Sequence, residues 1–396
     1  MASTLQLNLP IPDSLAQDRS KQLSQLIQQK IEQTGGWIDF ATFMHMALYT
    51  PAIGYYSGGA LKFADNQKGG GDFVTAPQIS PLFARTLAKQ AAQVLSETKG
   101  GGLVSSILEL GAGTGKLAAD LLLELQFLQQ LPQHYYILEV SGYLRQIQLE
   151  TIRKLPSELC ARVVWLDSLP NDFVGFIFGN EVLDSISVHL VGTTQQGLIE
   201  RGVTFNEGFV WQDKPLAAGK LQDEVSTHSL PIDYLTESCP AAIALIKSLA
   251  SSLKKGVILM IDYGFGAAEY YHPQRNTGTL MCHYQHYAHS NPLIYVGLQD
   301  ITAHVNFTAI TAAGVSLDLS LAGYCNQASF LMSCGLLEIL SETSPNNIAA
   351  YAPLAAATHK LLSPAEMGEL FKVIALSKDF DSPLIGFKSG DKAHML

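Results

Sequence analysis

Residues 107–117, Ile-Leu-Glu-Leu-Gly-Ala-Gly-Thr-Gly-Lys-Leu, join an apolar run to three glycines at two-residue spacing. The run reads as a buried strand, and the residues from Lys116 onward read as a helix. Between them Gly111, Gly113 and Gly115 form a turn whose backbone can lie directly against a ligand, because no Cβ intervenes. A strand that passes through such a turn into a helix constrains the chain to an α/β sheet with a ligand at its C-terminal edge.

Spacing decides among three ligand classes. A phosphate-cradling P-loop needs four residues between its first glycine and a Gly-Lys pair, then Ser or Thr for magnesium. Here three residues separate Gly111 from Gly115, and Leu117 follows Lys116. A dinucleotide fingerprint started at Gly111 would need glycine where Lys116 stands. The arrangement from Glu109 to Gly115, E-x-G-x-G-x-G, suits S-adenosylmethionine (SAM) instead. SAM has no phosphate; its amino-acid end can sit on glycine backbone while an acid further on takes the ribose.

The rest of the pattern agrees with a doubly wound parallel sheet. Short apolar strands are expected at 104–110, 134–140, 162–166, 173–179 and 256–262, with helices at 115–130, 142–155 and 238–254. Residues 1–100 read as a helical cover, with helices at 14–33, ending at Gly35-Gly36, at 37–49 and at 81–97. Residues 101–184 and 237–262 carry the core, interrupted by a β-rich insertion at 185–236. Residues 263–330 read as loops and short helices on the substrate side. Residues 331–396 complete the core, with Phe371–Ser377 and Leu384–Lys388 expected as an antiparallel edge hairpin.

Three acidic positions follow strand ends. Glu139 closes Tyr-Tyr-Ile-Leu-Glu and can accept hydrogen bonds from both ribose hydroxyls; its bland alternative is a surface acid opening a helix. Asp167 closes Val-Val-Trp-Leu-Asp and is either an adenine acceptor or a helix N-cap. Asn180-Glu181-Val-Leu-Asp184 follows the fourth strand. Two carboxylates three residues apart on a helical turn can grip a planar guanidinium, concentrate electron density on one nitrogen and accept its proton. Glu181 is the leading catalytic candidate, with Asn180 and Asp184 beside it; the alternative is an acidic first turn of a helix. His283, His286 and His289 invite a metal, but on a helix they would precess by about 60° per step and converge poorly. No metal is expected.

Composition narrows the class. Apolar residues make up 47% and charged ones 15% of the 396 residues, enough for a large core. A net charge of −10 argues against a nucleic-acid partner and would suit a cationic substrate. The five cysteines form no Cys-x-x-Cys pair and read as reduced thiols. No apolar run approaches the ~20 residues that cross a bilayer, so membrane insertion is not expected, and a cytoplasmic location is.

These motifs together resemble the MidA family of SAM-dependent methyltransferases, which includes a mitochondrial protein-arginine methyltransferase needed for respiratory complex I assembly. The resemblance rests on Gly70–Pro77, Glu109–Gly115, Leu138–Ser141, Gly179–Asp184, Ile261–Gly264, Gly278–Tyr284, Gln299–Phe307 and Met367–Lys372, in the family's order. It implies a class I methyltransferase (Rossmann-like) core with a helical cover and a β insertion. It implies SAM at Gly111, Gly113, Gly115 and Glu139, with Asp72 and Thr75 closing over it. For the mitochondrial relatives it implies an arginine acceptor in a complex I subunit. One departure is Gln78, where the family usually has an acid. The alternatives are a SAM-binding assembly protein without turnover and a small-molecule methyltransferase. The oligomeric state, a homodimer included, is open in the sequence.

Overall fold

Seven strands of one sheet organise residues 75–184, 242–270 and 304–396, the larger of two units in the computed structural model. The structure describes residues 9–58, 75–99 and 104–396. The strands are β1 (Ser106–Leu110), β2 (Tyr135–Leu138), β3 (Val163–Leu166), β4 (Phe173–Asn180), β5 (Leu253–Phe265), β6 (Ser320–Asn326) and β7 (Phe371–Lys378). Their order is β6-β7-β5-β4-β1-β2-β3, and only β7 runs antiparallel to its neighbours. An eighth short strand, Val305–Asn306, pairs with the end of β5.

The five strands expected from sequence are β1 to β5. β4 is buried from Phe173 to Gly179 and β5 from Gly256 to Asp262, as strands covered on both faces should be. Helices Lys116–Phe127, Gly142–Ile152 and Pro240–Ser252 connect successive strands. Helix Pro81–Thr98 starts at Pro81, capped by Ser80. It packs on helix Lys116–Phe127, where Arg85 ties Glu124 (2.6 Å) to Glu342 (2.8 Å). The strand order reverses between β1 and β4, and ligands of open α/β sheets bind outside the carboxyl ends at such a switch point. The Gly111 turn leaves β1 there, and Asn180-Glu181 leaves β4 there.

The expected hairpin is absent. Ile385–Phe387 is a 3₁₀ turn, not a strand. Both edges of β7 are occupied by β5 and β6, and the amides of Ile385 and Gly386 go to Gln93 Oε1 (3.0 Å) and Gln90 Oε1 (2.9 Å). A Cβ on Gly386 would lie 2.2 Å from Phe330, so the turn is pressed onto the core. The stretch 263–330 also differs from the loops and short helices expected: it supplies helix Phe307–Val315 and β6 to the core sheet.

The smaller unit comprises residues 1–74, 185–241 and 271–303. Helix Ser14–Gln33 is capped by Asp13 and stops at Gly35 and Gly36, both at positive φ. Helix Phe40–Tyr49 starts three residues later than expected, because the Asp39 carboxylate accepts from the Thr42 amide at 2.7 Å and caps it there. A five-stranded antiparallel sheet is built from Ile38–Asp39, His189–Thr194, Gly197–Phe205, Phe209–Pro215 and Tyr234–Ser238. A second sheet joins Met281–Tyr284, Tyr287–His289 and Asp300–Thr302. His283, His286 and His289 therefore sit on and around a hairpin rather than a helix. Among the described residues, no group of three or more His, Cys, Asp or Glu side chains is placed to hold a metal. No described helix is long and apolar enough to cross a membrane.

Candidate functional site

The glycine turn has the backbone that its residues allow. Gly111, Gly113 and Gly115 all lie at positive φ (+59°, +54° and +78°), a region costly for other residues. Gly115 caps helix Lys116–Phe127, which directs that helix's unpaired amides toward the turn. Two of the glycines also sit where a side chain would be tight. A Cβ on Gly111 would come 3.2 Å from Val182 Cγ2, and one on Gly115 would come 3.1 Å from Gln148 Cα.

Glu109 lies within β1 and accepts from the Tyr135 hydroxyl at 2.7 Å. Burial pushes its carboxyl up to about 8, further helped by the nearby Glu139 charge and opposed by the Tyr135 bond. Glu139, just past β2, is also buried. Its Oε1 accepts from the Ser141 amide (2.9 Å) and its Oε2 from Gln148 Nε2 (3.0 Å). Burial raises its carboxyl above the ordinary range, while these two bonds and Arg145 oppose the rise. A carboxylate offers about four lone-pair positions, so it keeps acceptor capacity for a hydroxyl.

Gln148 is a residue that the motif reading passed over. It is fully buried, and its amide also donates to Gly113 O (3.1 Å) while its Oε1 accepts from Trp165 Nε1 (2.9 Å). One side chain thus joins the glycine turn, the acid after β2 and a tryptophan on β3. The signal in the sequence was a glutamine on the apolar stripe Leu144, Gln148, Ile152. Arg145, one turn earlier, donates to Glu139 O (2.8 Å) and Leu166 O (2.6 Å) and pairs with Asp167 (2.7 Å). Asp167 is exposed and caps no helix, so the N-cap alternative does not hold; its observed partner is Arg145.

The acceptor-side loop is not the helical turn expected. Glu181 has φ +54°, and its amide donates to Ile261 O at 2.9 Å. The next three amides, of Val182, Leu183 and Asp184, all donate to Asp262 Oδ2 at 3.1, 2.8 and 3.3 Å. The loop is wound around a fully buried carboxylate at the end of β5, which removes the donors a helical first turn would keep. Burial pushes the Asp262 carboxyl up to about 7 in spite of these amides. Asn180 Nδ2 donates to Glu181 Oε1 (3.0 Å), and Tyr263 Oη stands 3.5 Å from Glu181 Oε2. Asp184 is buried and Glu181 is half-buried.

Thr75 precedes the short helix Ala76–Ile79, and Gln78 of that helix donates to Thr114 Oγ1 at 2.7 Å. The departure at Gln78 thus falls on a side chain that touches the glycine turn. Asp72 lies outside the described residues.

These features fit SAM. The turn is a cradle that side chains would fill, Glu139 has spare acceptor capacity, and Asn180 Oδ1 is buried without a hydrogen-bond partner among the described residues.

Comparisons with known proteins agree with that chemistry. The profile of an S-adenosyl-L-methionine-dependent methyltransferase family matches residues 86–325. A Burkholderia thailandensis protein crystallised with S-adenosyl-homocysteine superposes with a TM-score of 0.93 at 46% identity, covering 98% of this chain and 100% of that one. The zebrafish (Danio rerio) mitochondrial protein arginine methyltransferase NDUFAF7 is 28% identical over 95% of this chain and 93% of its own length. The human protein of that name is 28% identical over 88% of this chain and 82% of its own.

Proposed function

Because the chain belongs to the S-adenosyl-L-methionine-dependent methyltransferase family, we propose that it methylates an arginine side chain of a protein. When bound, SAM supplies an activated methyl group on a sulfonium; the remaining chemistry falls to the chain's own residues. The glycine turn and Glu139 hold the amino-acid and ribose ends, with Asp167 toward the adenine and Asp72 and Thr75 at the opening. Glu181, steadied by Asn180, orients the acceptor nitrogen and takes its proton as the new C–N bond forms and the C–S bond breaks. Asp184 adds a second negative group for a guanidinium, whose charge and planarity favour carboxylates.

The observation that carries this reading is adjacency. The loop bearing both carboxylates packs on the glycine turn itself, through Val182 against Gly111. The arginine acceptor draws further support from the relatives named as protein arginine methyltransferases. A subunit of respiratory complex I is the first acceptor to try, in line with the resemblance read from the sequence, and the cytoplasm is the proposed location.

The test uses labelled SAM with purified protein and cell extract, comparing wild type with Glu181→Gln. A lost proton acceptor is worth about 10²–10⁴ in rate. The variant should therefore bind S-adenosylhomocysteine within roughly threefold of wild type, about 0.7 kcal/mol, while transferring methyl at least a hundredfold more slowly by that estimate. Wild-type turnover in Glu181→Gln would remove Glu181 from the chemistry, and label on lipids or small molecules only would overturn the protein acceptor.

A further inference from the structure

We propose that Asp262 is a positioning residue that holds the acceptor-side loop in its working shape, setting Glu181 from behind without touching substrate. The proposal rests on the catalytic reading of Glu181. Its geometry stands apart from that reading.

Asp262 is completely buried at the end of β5. Its Oδ2 collects three consecutive amides, those of Val182, Leu183 and Asp184, from a segment nearly eighty positions earlier in the chain. Its Oδ1 takes the amide of Tyr263 at 2.9 Å. Three successive N–H groups converging on one oxygen make an anion nest, an arrangement that favours a negatively charged acceptor over a neutral one. The nest begins one residue after Glu181, whose φ of +54° is unfavourable for a residue with a Cβ. A strained conformation persists where its surroundings over-determine it. Here the surroundings are the Glu181 amide bonded to Ile261 O on one side and the nest on the other.

The same carboxylate also steadies a second wall. Through Oδ1 it fixes the backbone of Tyr263, whose ring lies against Phe371 (4.1 Å between centroids) and parallel to His304 (6.2 Å, 15°). The Tyr263 hydroxyl reaches toward Glu181 Oε2. One buried acid thus sets both the carboxylate and the aromatic ring beside it, a pairing suited to a flat cation. The two halves of the site touch through Val182 against Gly111, but their polar anchors differ: Gln148 and Glu139 hold the cofactor side and Asp262 holds the acceptor-side loop.

The experiment is amide hydrogen exchange on the full chain, wild type against Asp262→Asn, combined with S-adenosylhomocysteine titration and labelled-methyl kinetics. The asparagine keeps the shape but carries no charge, and its single acceptor oxygen cannot serve both the Val182–Asp184 amides and the Tyr263 amide. Exchange at Val182–Asp184 should accelerate at least tenfold, while segments 107–118 and 139–148 keep wild-type rates. S-adenosylhomocysteine affinity should stay within threefold, and kcat should fall at least thirtyfold with the KM for SAM little changed. Tyr263→Phe, which leaves the nest intact, should not alter exchange at 182–184.

Unchanged exchange at 182–184 in Asp262→Asn, or acceleration spread equally over the glycine turn, would overturn the proposal. If Asp262→Asn does not fold, the wild-type protein still decides: amides 182–184 must exchange as slowly as those of β5, and loop-like rates would refute the nest. Should exchange behave as expected while Glu181→Gln turns over normally, the positioning role stands and the catalytic reading of Glu181 falls.

Discussion

Replacing Gln148 with alanine removes one side chain and leaves three groups without that partner, the buried Glu139 Oε2 and the part-buried Gly113 O and Trp165 Nε1. A buried polar group left unpaired costs about 1–3 kcal/mol. Some of that is recovered if water enters the space, so the net loss should be about 3 kcal/mol. For a cooperative unit of 150–250 residues this corresponds to a melting temperature lower by roughly 6–12 °C. Cofactor affinity should fall as well, because Glu139 loses one of its fixings and must be ordered again on binding. Immobilising one such side chain costs about 0.5–1.5 kcal/mol, a factor of roughly 2–12 in the dissociation constant for S-adenosylhomocysteine. Differential scanning calorimetry and isothermal titration read the two effects separately. The control is Gln146→Ala on the exposed face of the same helix, where Gln146 donates to Glu150 (3.2 Å); it should move stability by less than about 0.5 kcal/mol. A Gln148→Ala protein that melts within about 1 °C of wild type, well under the 2–4 °C expected per kcal/mol, and binds the ligand equally well would refute Gln148 as the tie between the turn and Glu139.

Gly113→Val places a β-branched residue at φ +54°, which costs about 1–2 kcal/mol and fills the cradle. S-adenosylhomocysteine binding should disappear in a titration while the fold, read by circular dichroism, survives; retained binding would move the cofactor elsewhere. Glu109→Gln tests the buried carboxyl of β1, whose pKa rises from 4.5 to about 8 in the fold. Between those values the folded chain holds a proton that the unfolded chain has released, so stability falls as pH rises through the window and levels off above it. The glutamine keeps an acceptor for Tyr135 and cannot ionise. Its denaturation midpoint should therefore decline less than wild type's between pH 5 and 9, and an identical slope would refute the assignment.

Locally coded features were legible from residue order alone. The turn at Gly111, Gly113 and Gly115 was readable because positive φ and close backbone approach are properties of glycine itself. Helix Ser14–Gln33 was readable because its cap, its periodicity and its terminating glycines are all written within a few residues. β1, β4 and β5 were readable because strands buried on both faces must be apolar throughout, and β2 and β3, which are less buried, showed as short apolar runs between helices. Glu139 and Glu181 stood out as acids ending such runs, and so, in principle, did Asp262.

Tertiary structure decided the partners. Residue order did not reveal that the amides of Val182–Asp184 would turn to Asp262, because the bond exists only once β4 and β5 lie side by side. That capture, rather than helix propensity, shaped the loop carrying Glu181 and Asp184. The same holds for Gln148, whose role depends on three segments meeting over one amide. The expected hairpin at Leu384–Lys388 failed for a related reason: β7 had no edge left, and Gln90 and Gln93 took the amides instead. Local chemistry specifies which groups need partners, and the packing of distant segments determines which partners they find.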